Sequence, residues 1–275
     1  MRARWRERMR VAVALAQLAR WPNALIAAGA VGVGAWWVGW GPARPIALAA
    51  LAALPLTAAA NAWNDLADVA IDRRAHPERP LPSGRASGRI ARRFASLAAL
   101  AGVALASAAR PALGALSVGV VALMRAYSPW LKRGGIAGNA IVSVLASLPF
   151  LYGGWAAGDW RGAIPLVAIA APLHLAREIA KDLEDAPADA GERRTLPVAA
   201  GPAAAVVALA AAVTVFFALA TPYAMARPRF AIAMVPAALL IARGVLSAAR
   251  GRRGGPGALK LAMVCAMAAL LLARP

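Results

Sequence analysis

The feature that most constrains the fold is a succession of apolar runs, each about as long as a lipid bilayer is thick. A helix of about 20 apolar residues spans a hydrocarbon core about 30 Å thick. Nine such runs, rich in Ala, Leu and Val, occur at 22–41, 44–66, 88–109, 111–126, 136–156, 161–180, 200–220, 229–248 and 257–273. Strand-like alternation is absent, so each run predicts a helix that satisfies its own backbone hydrogen bonds. The sequence therefore predicts an all-α, polytopic membrane protein with nine transmembrane helices, in agreement with its 61% of hydrophobic residues.

The basic residues predict the orientation of these helices. If the helices alternate in direction and the N-terminus is cytoplasmic, 25 of the 31 Lys and Arg residues lie on the cytoplasmic side. The positive-inside rule therefore predicts a cytoplasmic N-terminus, and the odd number of helices places the C-terminus outside. The predicted location is the cell (inner) membrane, and no removed signal peptide is expected. Short basic loops also explain the net charge of +19 without a nucleic-acid partner, and the single Cys265 excludes a disulfide framework.

The acidic residues lie almost entirely in two clusters, which hold ten of the twelve Asp and Glu residues. The first cluster comprises Asp65, Asp68, Asp72 and Glu78, and the second comprises Glu178, Asp182, Glu184, Asp185, Asp189 and Glu192. In the nine-helix topology the clusters end the second and the sixth helix, and both ends face the cytoplasm. The two clusters are therefore predicted to meet on that face.

The spacing of the first cluster predicts an acidic stripe along one face of a helix. Asn64, Asp68 and Asp72 follow one another at i, i+4 and i+8, and Asp65 shares their stripe. Carboxylates this close repel one another, and near hydrocarbon each also carries a desolvation cost. Cations or protons must therefore hold the stripe together.

The second cluster has a similar spacing. Asp182, Asp185 and Asp189 lie at i, i+3 and i+7, which predicts a second acidic stripe. Pro187 is predicted to end this helix, which would place Asp189 in the following loop.

Two facing acidic stripes beside a membrane indicate a metal-dependent diphosphate site. Mg²⁺ prefers oxygen ligands and usually binds through one or two carboxylates together with substrate phosphates and water. Two such ions would hold a diphosphate between the stripes. Basic side chains on the same side would bind the phosphate oxygens, namely Arg73, Arg74, Arg79, Arg85, Lys132, Arg177 and Lys181. The apolar helices suit a polyprenyl chain as the other end of the substrate.

At these residues the sequence resembles the UbiA superfamily of intramembrane prenyltransferases. The first family motif, an Asn with Asp at +4 and +8 followed by an Arg-Pro-Leu-x-Ser-Gly segment, is matched by Asn64, Asp68, Asp72 and RPLPSG at 79–84. The second motif is similar to REIAKDLED at 177–185, which continues to Asp189 and to TLPV at 195–198. Further similarities are Arg20 and Asn23, YSPWLK at 127–132, and Gly138 with Asn139. The resemblance covers essentially the whole chain and implies a single prenyltransferase domain over 1–275.

The resemblance also implies roles for individual residues. Asn64, Asp68 and Asp72 would hold one Mg²⁺, and Asp182, Asp185 and Asp189 a second, both bridging the diphosphate. The implied substrate-binding residues are Arg20, Asn23, Asp65, Arg79, Tyr127, Lys132, Asn139, Arg177 and Lys181. Ionisation at the prenyl C1 would give an allylic cation, which the acceptor attacks with loss of a proton. Because water would quench this cation, we expect the loop 73–93 to cap the site.

The second motif narrows the choice of acceptor. REIAKDLED is most similar to the branch that transfers geranylgeranyl to geranylgeranylglyceryl phosphate. Aromatic-acceptor members, of the 4-hydroxybenzoate or quinone pathways, share the fold and the first motif and are an alternative. Ala188 in place of Gly, and a stretch from Asp189 to Thr195 that is one residue short, leave the partner of Asp189 open.

A secondary transporter is the non-enzyme alternative. Transporter sites lie near the midplane of the bilayer, whereas both acid clusters here are predicted at helix ends on one face. The expected partners are a prenyl diphosphate, a lipophilic acceptor and membrane lipid, with no nucleic acid and no obligatory protein partner.

Overall fold

The regular structure of this protein is helical throughout the part of the chain that is described. The computed structural model describes residues 2–130, 135–191 and 193–274. The helices are α1 Arg2–Ala19, α2 Trp21–Trp37, α3 Ala43–Ala75, α4 Gly88–Ala109, α5 Pro111–Trp130, α6 Ile136–Ala157, α7 Ile164–Asp189, α8 Leu196–Ala226, α9 Pro228–Ala233, α10 Val235–Ala249 and α11 Gly255–Leu270. Ala and Leu, which favour helix strongly, dominate these segments. The predicted all-α class is confirmed.

Four of these helices, α3, α4, α6 and α8, are long and apolar enough to cross a membrane. The number is five if Met9–Ala19 and α2, which are bent by 46° at their junction, form one broken span. The apolar parts of α5, α10 and α11 are shorter helices of 10–17 residues, and α7 carries charged residues from Arg177 onward. These helices are those of a multi-pass membrane protein. The count of nine transmembrane helices and the sides of the two termini stay predictions.

Several helix boundaries differ from those predicted. Helix α3 continues to Ala75, so that the loop after it occupies 76–87 rather than 73–93. The predicted segment 229–248 is interrupted at Met234, two residues before Pro236, which has no N–H to donate to the preceding turn.

The prediction that Pro187 ends its helix is wrong. Helix α7 runs through Pro187 to Asp189, and the N–H of Ala190 donates to the carbonyl of Ala186 at 3.1 Å. Pro187 has no N–H to donate to the preceding turn, but the backbone continues as a helix for two more residues. Asp189 therefore belongs to the helix.

The described residues form two compact units. The first comprises the chain up to Gly29 and Ala43–Trp130. Its core is built mostly from alanines, and Leu18, Leu81 and Trp63 are its larger buried side chains. A methyl group at Gly102 would come within 2.5 Å of Leu56 Cγ, so this glycine lets α3 and α4 approach closely.

The second unit comprises Ala30–Pro42 and the chain from residue 131 onward. A methyl group at Gly153 would overlap the backbone carbonyl of Val31, and one at Gly34 would overlap that of Phe150. The second half of α2 and α6 therefore pack backbone against backbone. Such contacts through small residues are typical of helices in lipid, where association depends on close packing.

Candidate active site

The first acidic cluster lies on one buried face of α3. Asp65, Asp68 and Asp72 are each 4% exposed, although they lie on a helix made mostly of apolar residues. The Asn64 amide nitrogen donates a hydrogen bond to Asp68 Oδ2 at 3.1 Å. Three carboxylates on one buried helix face are costly unless positive charge or protons compensate them.

Two arginines supply that positive charge. Arg20 Nη2 lies 2.5 Å from Asp65 Oδ1. Arg79 Nη1 lies 2.8 Å from one Asp72 oxygen and 2.9 Å from the other. Both arginines were predicted as substrate-binding residues, and the structure places each beside an acid of the stripe. The first cluster is therefore a partly neutralised group of carboxylates and guanidinium ions.

Arg20 reaches Asp65 from an unusual backbone position. It is the residue between α1 and α2, and its φ of 50° lies in the left-handed region that favours glycine. The N–H of Asn23, another predicted substrate-binding residue, donates to the Arg20 carbonyl at 2.8 Å. The Asn61 amide donates to the carbonyl of Ala19 at 3.0 Å. Asn61 is not among the site residues predicted from the sequence, although it lies four residues before Asp65 and therefore on the same helix face.

The loop 76–87 is tied down by its own polar residues. Ser83 Oγ donates to the carbonyl of Arg79 at 2.6 Å, and Gly84 has a φ of 73°. Arg85 donates to Gln17 Oε1 at 2.8 Å and also to Ser83 Oγ and the carbonyl of Glu78. These bonds hold the RPLPSG segment against itself and against α1, and the bond from Ser83 fixes the backbone of Arg79, whose side chain binds Asp72.

The second acidic cluster lies on α7 in the second unit. Asn139 donates from its amide nitrogen to Asp182 Oδ2 at 2.7 Å. Lys181 Nζ lies 3.3 Å from Asp185 Oδ2. The predicted substrate-binding residues Asn139 and Lys181 therefore contact the predicted metal ligands of this cluster.

Two further acids of the second cluster, Glu178 and Asp189, are paired with close neighbours in the sequence. Arg177 pairs with Glu178, and Arg193 Nη1 lies 3.8 Å from Asp189 Oδ1. Asp189 is 2% exposed. Arg177 therefore lies on α7 beside the acids, as predicted, but its guanidinium is held by a neighbouring acid.

Asp182 lies beyond the predicted apolar segment 161–180. Burial raises the pKa of its carboxyl to about 6, against the opposing effects of the Asn139 hydrogen bond and the Lys181 charge. Because the ionised form is penalised by burial, a bound cation would favour it.

Two predicted residues are not placed at the site. Lys132 lies outside the described residues. Tyr127 belongs to α5, but its side chain lies outside the described part of the chain.

The carboxylates fit Mg²⁺ by their chemistry, although they are not gathered around one point. Within the described ranges, no three His, Cys, Asp or Glu side chains converge as a complete metal cage does. Mg²⁺ does not need such a cage, because it is usually bound by one or two carboxylates together with substrate phosphates and water. Buried carboxylates and an amide on one face of α3 are suitable oxygen donors of this kind.

Comparisons with known proteins give a matching family, similar sequences and a similar solved structure. The model of the UbiA prenyltransferase family matches residues 24–264. The chain belongs to the UbiA prenyltransferase family. The digeranylgeranylglyceryl phosphate synthase of Ignicoccus hospitalis is 35% identical over 211 residues, which are 74% of this chain and 69% of that protein. The digeranylgeranylglyceryl phosphate synthase of Methanopyrus kandleri is 34% identical over 238 residues, or 85% of this chain and 88% of that protein.

A solved structure has the same fold. The structure of a UbiA homologue from Archaeoglobus fulgidus, bound to GPP and Mg²⁺, matches with a TM-score of 0.67 and 23% sequence identity, over 94% of this chain and 98% of that chain. Family membership makes this UbiA protein a prenyltransferase embedded in a membrane. The transporter alternative is therefore set aside.

Proposed function

We propose that this UbiA prenyltransferase transfers a geranylgeranyl group from its diphosphate to geranylgeranylglyceryl phosphate and requires Mg²⁺ to do so. The observation that carries the proposal is the acidic face of α3, where Asp65, Asp68 and Asp72 are buried beside two arginines. Ionisable residues buried in membrane helices are functional by default, because their burial is costly. The similarity to two digeranylgeranylglyceryl phosphate synthases supports the choice of acceptor.

The proposed metal ligands follow the two sequence motifs. Asn64, Asp68 and Asp72 would hold one Mg²⁺, and Asp182, Asp185 and Asp189 would hold a second. Bound with the diphosphate, the ions supply Lewis-acid stabilisation of the leaving group. That both clusters serve the same diphosphate is part of the proposal, and it rests on the sequence motifs.

The basic residues bind the phosphate oxygens in this proposal. A guanidinium has five N–H donors, so Arg20 and Arg79 retain donors for a diphosphate while they hold Asp65 and Asp72. Arg177, Lys181 and Lys132 add positive charge for the same purpose. Asn23, Tyr127 and Asn139 complete the proposed set of substrate-binding residues.

The proposed reaction exchanges one bond at the prenyl C1. The bond from C1 to the diphosphate oxygen breaks with its electron pair, which leaves an allylic cation and a diphosphate anion. An oxygen of the acceptor then forms a bond to C1 and loses its proton. The apolar helices hold the prenyl chain and exclude water, which would otherwise quench the cation.

The acceptor is tested with the purified protein in lipid vesicles that contain Mg²⁺ and geranylgeranyl diphosphate. Geranylgeranylglyceryl phosphate and 4-hydroxybenzoate are offered in separate reactions, and the prenylated product is measured. Transfer to the glyceryl phosphate lipid is expected. Transfer to 4-hydroxybenzoate alone would assign the protein to an aromatic-acceptor branch, and loss of transfer in excess EDTA would support the metal requirement.

We further propose that residues 1–275 form one functional domain, which crosses the inner membrane nine times. The N-terminus and both acid clusters would lie at the cytoplasmic face, and the C-terminus would lie outside. The family match over 24–264 includes residues of both compact units, which supports a single functional domain. Single-cysteine variants in a Cys265→Ala background test the orientation. We expect Glu78→Cys to react only with thiol reagents on the cytoplasmic side and Asp159→Cys only with those outside. The reverse pattern would overturn the proposed topology.

A further inference from the structure

Arg20 adopts a left-handed backbone conformation, which needs stabilising contacts from the surrounding structure. Its φ of 50° places its side chain close to its own backbone, which is why this region is visited chiefly by glycine. The residue also separates α1 from α2, which are bent by 46° relative to each other. Something in the structure must therefore stabilise this break.

Helix α3 contacts the break with two side chains that lie one turn apart. The Asn61 amide donates to the carbonyl of Ala19 at 3.0 Å, and Asp65 Oδ1 lies 2.5 Å from Arg20 Nη2. The carbonyls in the last turn of a helix have no partner within that helix. Asn61 satisfies one of them, in the residue directly before Arg20.

A third contact fixes the same last turn of α1. Arg85, from the loop 76–87, donates to Gln17 Oε1 at 2.8 Å. The end of α1 is thus held from the loop at Gln17 and from α3 at Ala19 and Arg20. Of these three contacts, the one from Asn61 is the only one that binds the backbone of α1.

We propose that Asn61 is a positioning residue, which holds the left-handed break so that the Arg20 guanidinium is aimed at the diphosphate. Asp65 orients the same guanidinium from one side, and the N–H groups that do not face Asp65 are available to the phosphate oxygens. Asn61 does not touch substrate in this scheme and acts only through Arg20. The proposal rests on the proposed function, because it assigns Arg20 to the diphosphate.

The positioning role is tested by a kinetic double-mutant cycle in vesicles with Mg²⁺ and geranylgeranyl diphosphate. Asn61→Ala should raise the KM for the prenyl diphosphate about five- to tenfold and change kcat less, because the lost positioning affects binding of the diphosphate. In an Arg20→Ala background, Asn61→Ala should have almost no further effect on KM. An equal rise in KM in both backgrounds, or no rise in either, would overturn the proposal.

Conservative and matched variants separate this role from a general loss of structure. Asn61→Gln keeps an amide donor, so its KM should lie between those of wild type and Asn61→Ala. Asn61→Leu removes the donor and should behave like Asn61→Ala. Ser117→Ala removes a side-chain hydrogen bond to the Leu113 carbonyl in the same unit, and it should leave the KM unchanged. A rise in KM in Ser117→Ala as large as in Asn61→Ala would also count against a specific role.

A cycle of thermal unfolding tests the structural half of the proposal without any activity. Arg20→Gly relieves the left-handed conformation, so Asn61→Ala should lower the unfolding midpoint by several degrees in the wild-type background and by less than half as much in Arg20→Gly. Equal shifts in both backgrounds would refute the support of Arg20 by Asn61. If the wild-type protein transfers no prenyl group, the proposed function fails, and this cycle still decides whether Asn61 holds the break.

Discussion

The ion pair between Arg79 and Asp72 offers the sharpest stability prediction, because its acid is almost fully buried. One Arg79 nitrogen contacts both Asp72 oxygens, at 2.8 and 2.9 Å, and Asp72 is 4% exposed. Removing one partner of a buried pair costs about 3–5 kcal/mol, because the other charge is left uncompensated. The Arg79 side chain is 25% exposed, so water offsets part of this loss. We therefore expect Arg79→Gln to cost about 2 kcal/mol, below the fully buried range.

Thermal unfolding in detergent with EDTA measures this cost. In a chain of this size about 1 kcal/mol shifts the midpoint by about 2–4 °C, so Arg79→Gln should unfold about 4–8 °C below wild type. Tryptophan fluorescence is a suitable signal, since the chain has nine Trp residues. Arg73→Gln is the matched control, because Arg73 is an exposed arginine on the same helix end. A surface substitution changes stability by about 0.5 kcal/mol at most, so this variant should shift the midpoint by no more than about 2 °C.

Mg²⁺ should compensate for the lost guanidinium. If Asp72 is a metal ligand, Mg²⁺ without diphosphate should raise the midpoint of Arg79→Gln more than that of wild type, because Asp72 lacks its guanidinium partner only in the variant. An Arg79→Gln midpoint equal to that of wild type in EDTA would refute the argument that this pair neutralises a costly buried charge.

Two further predictions concern the second unit. Asn139→Ala removes the hydrogen bond to Asp182, so the apparent affinity for Mg²⁺ should fall about tenfold, as for other groups that orient a metal ligand, and a titration of activity against Mg²⁺ would show it. An unchanged Mg²⁺ requirement would count against Asp182 as a ligand. Gly153→Ala places a methyl group against the Val31 carbonyl and should lower the unfolding midpoint, whereas Gly119→Ala, which meets nothing within 4 Å, should leave it unchanged or raise it. Equal effects of the two substitutions would refute the close packing of α2 and α6.

The acidic face of α3 could be predicted from the sequence because a helix fixes the angles between its residues. Once the segment was recognised as helical, the spacing of Asp65, Asp68 and Asp72 determined that they share a face, and the structure buries all three. The need for compensating cations followed from electrostatics alone. The identity of the compensating cations could not be predicted in this way, since Arg20 lies 45 residues before Asp65 in the sequence.

The features that could not be predicted depend on contacts between distant segments or on how a helix ends. Asn61 stands on the same face as Asp65, but its partner is a backbone carbonyl at the end of α1. The strain at Arg20 has no signal in the sequence, because arginine has no preference for a left-handed backbone. The prediction that Pro187 ends its helix is wrong because a proline need not end a helix at once, and here the helical backbone continues two residues beyond it.

The central claim is that the two acid clusters bind the Mg²⁺ and diphosphate on which prenyl transfer depends. The most direct test measures the Mg²⁺-dependent release of diphosphate by the variants Asp68→Asn and Asp182→Asn. Geranylgeranyl diphosphate is the donor, and the acceptor is present. Each variant keeps the size of the side chain and removes its charge. The rate of diphosphate release should fall about 100-fold or more in each, which is the upper range for the loss of an orienting metal partner. Asp159→Asn, outside both clusters, should release diphosphate at the wild-type rate. Release at the wild-type rate by both Asp68→Asn and Asp182→Asn would contradict the claim.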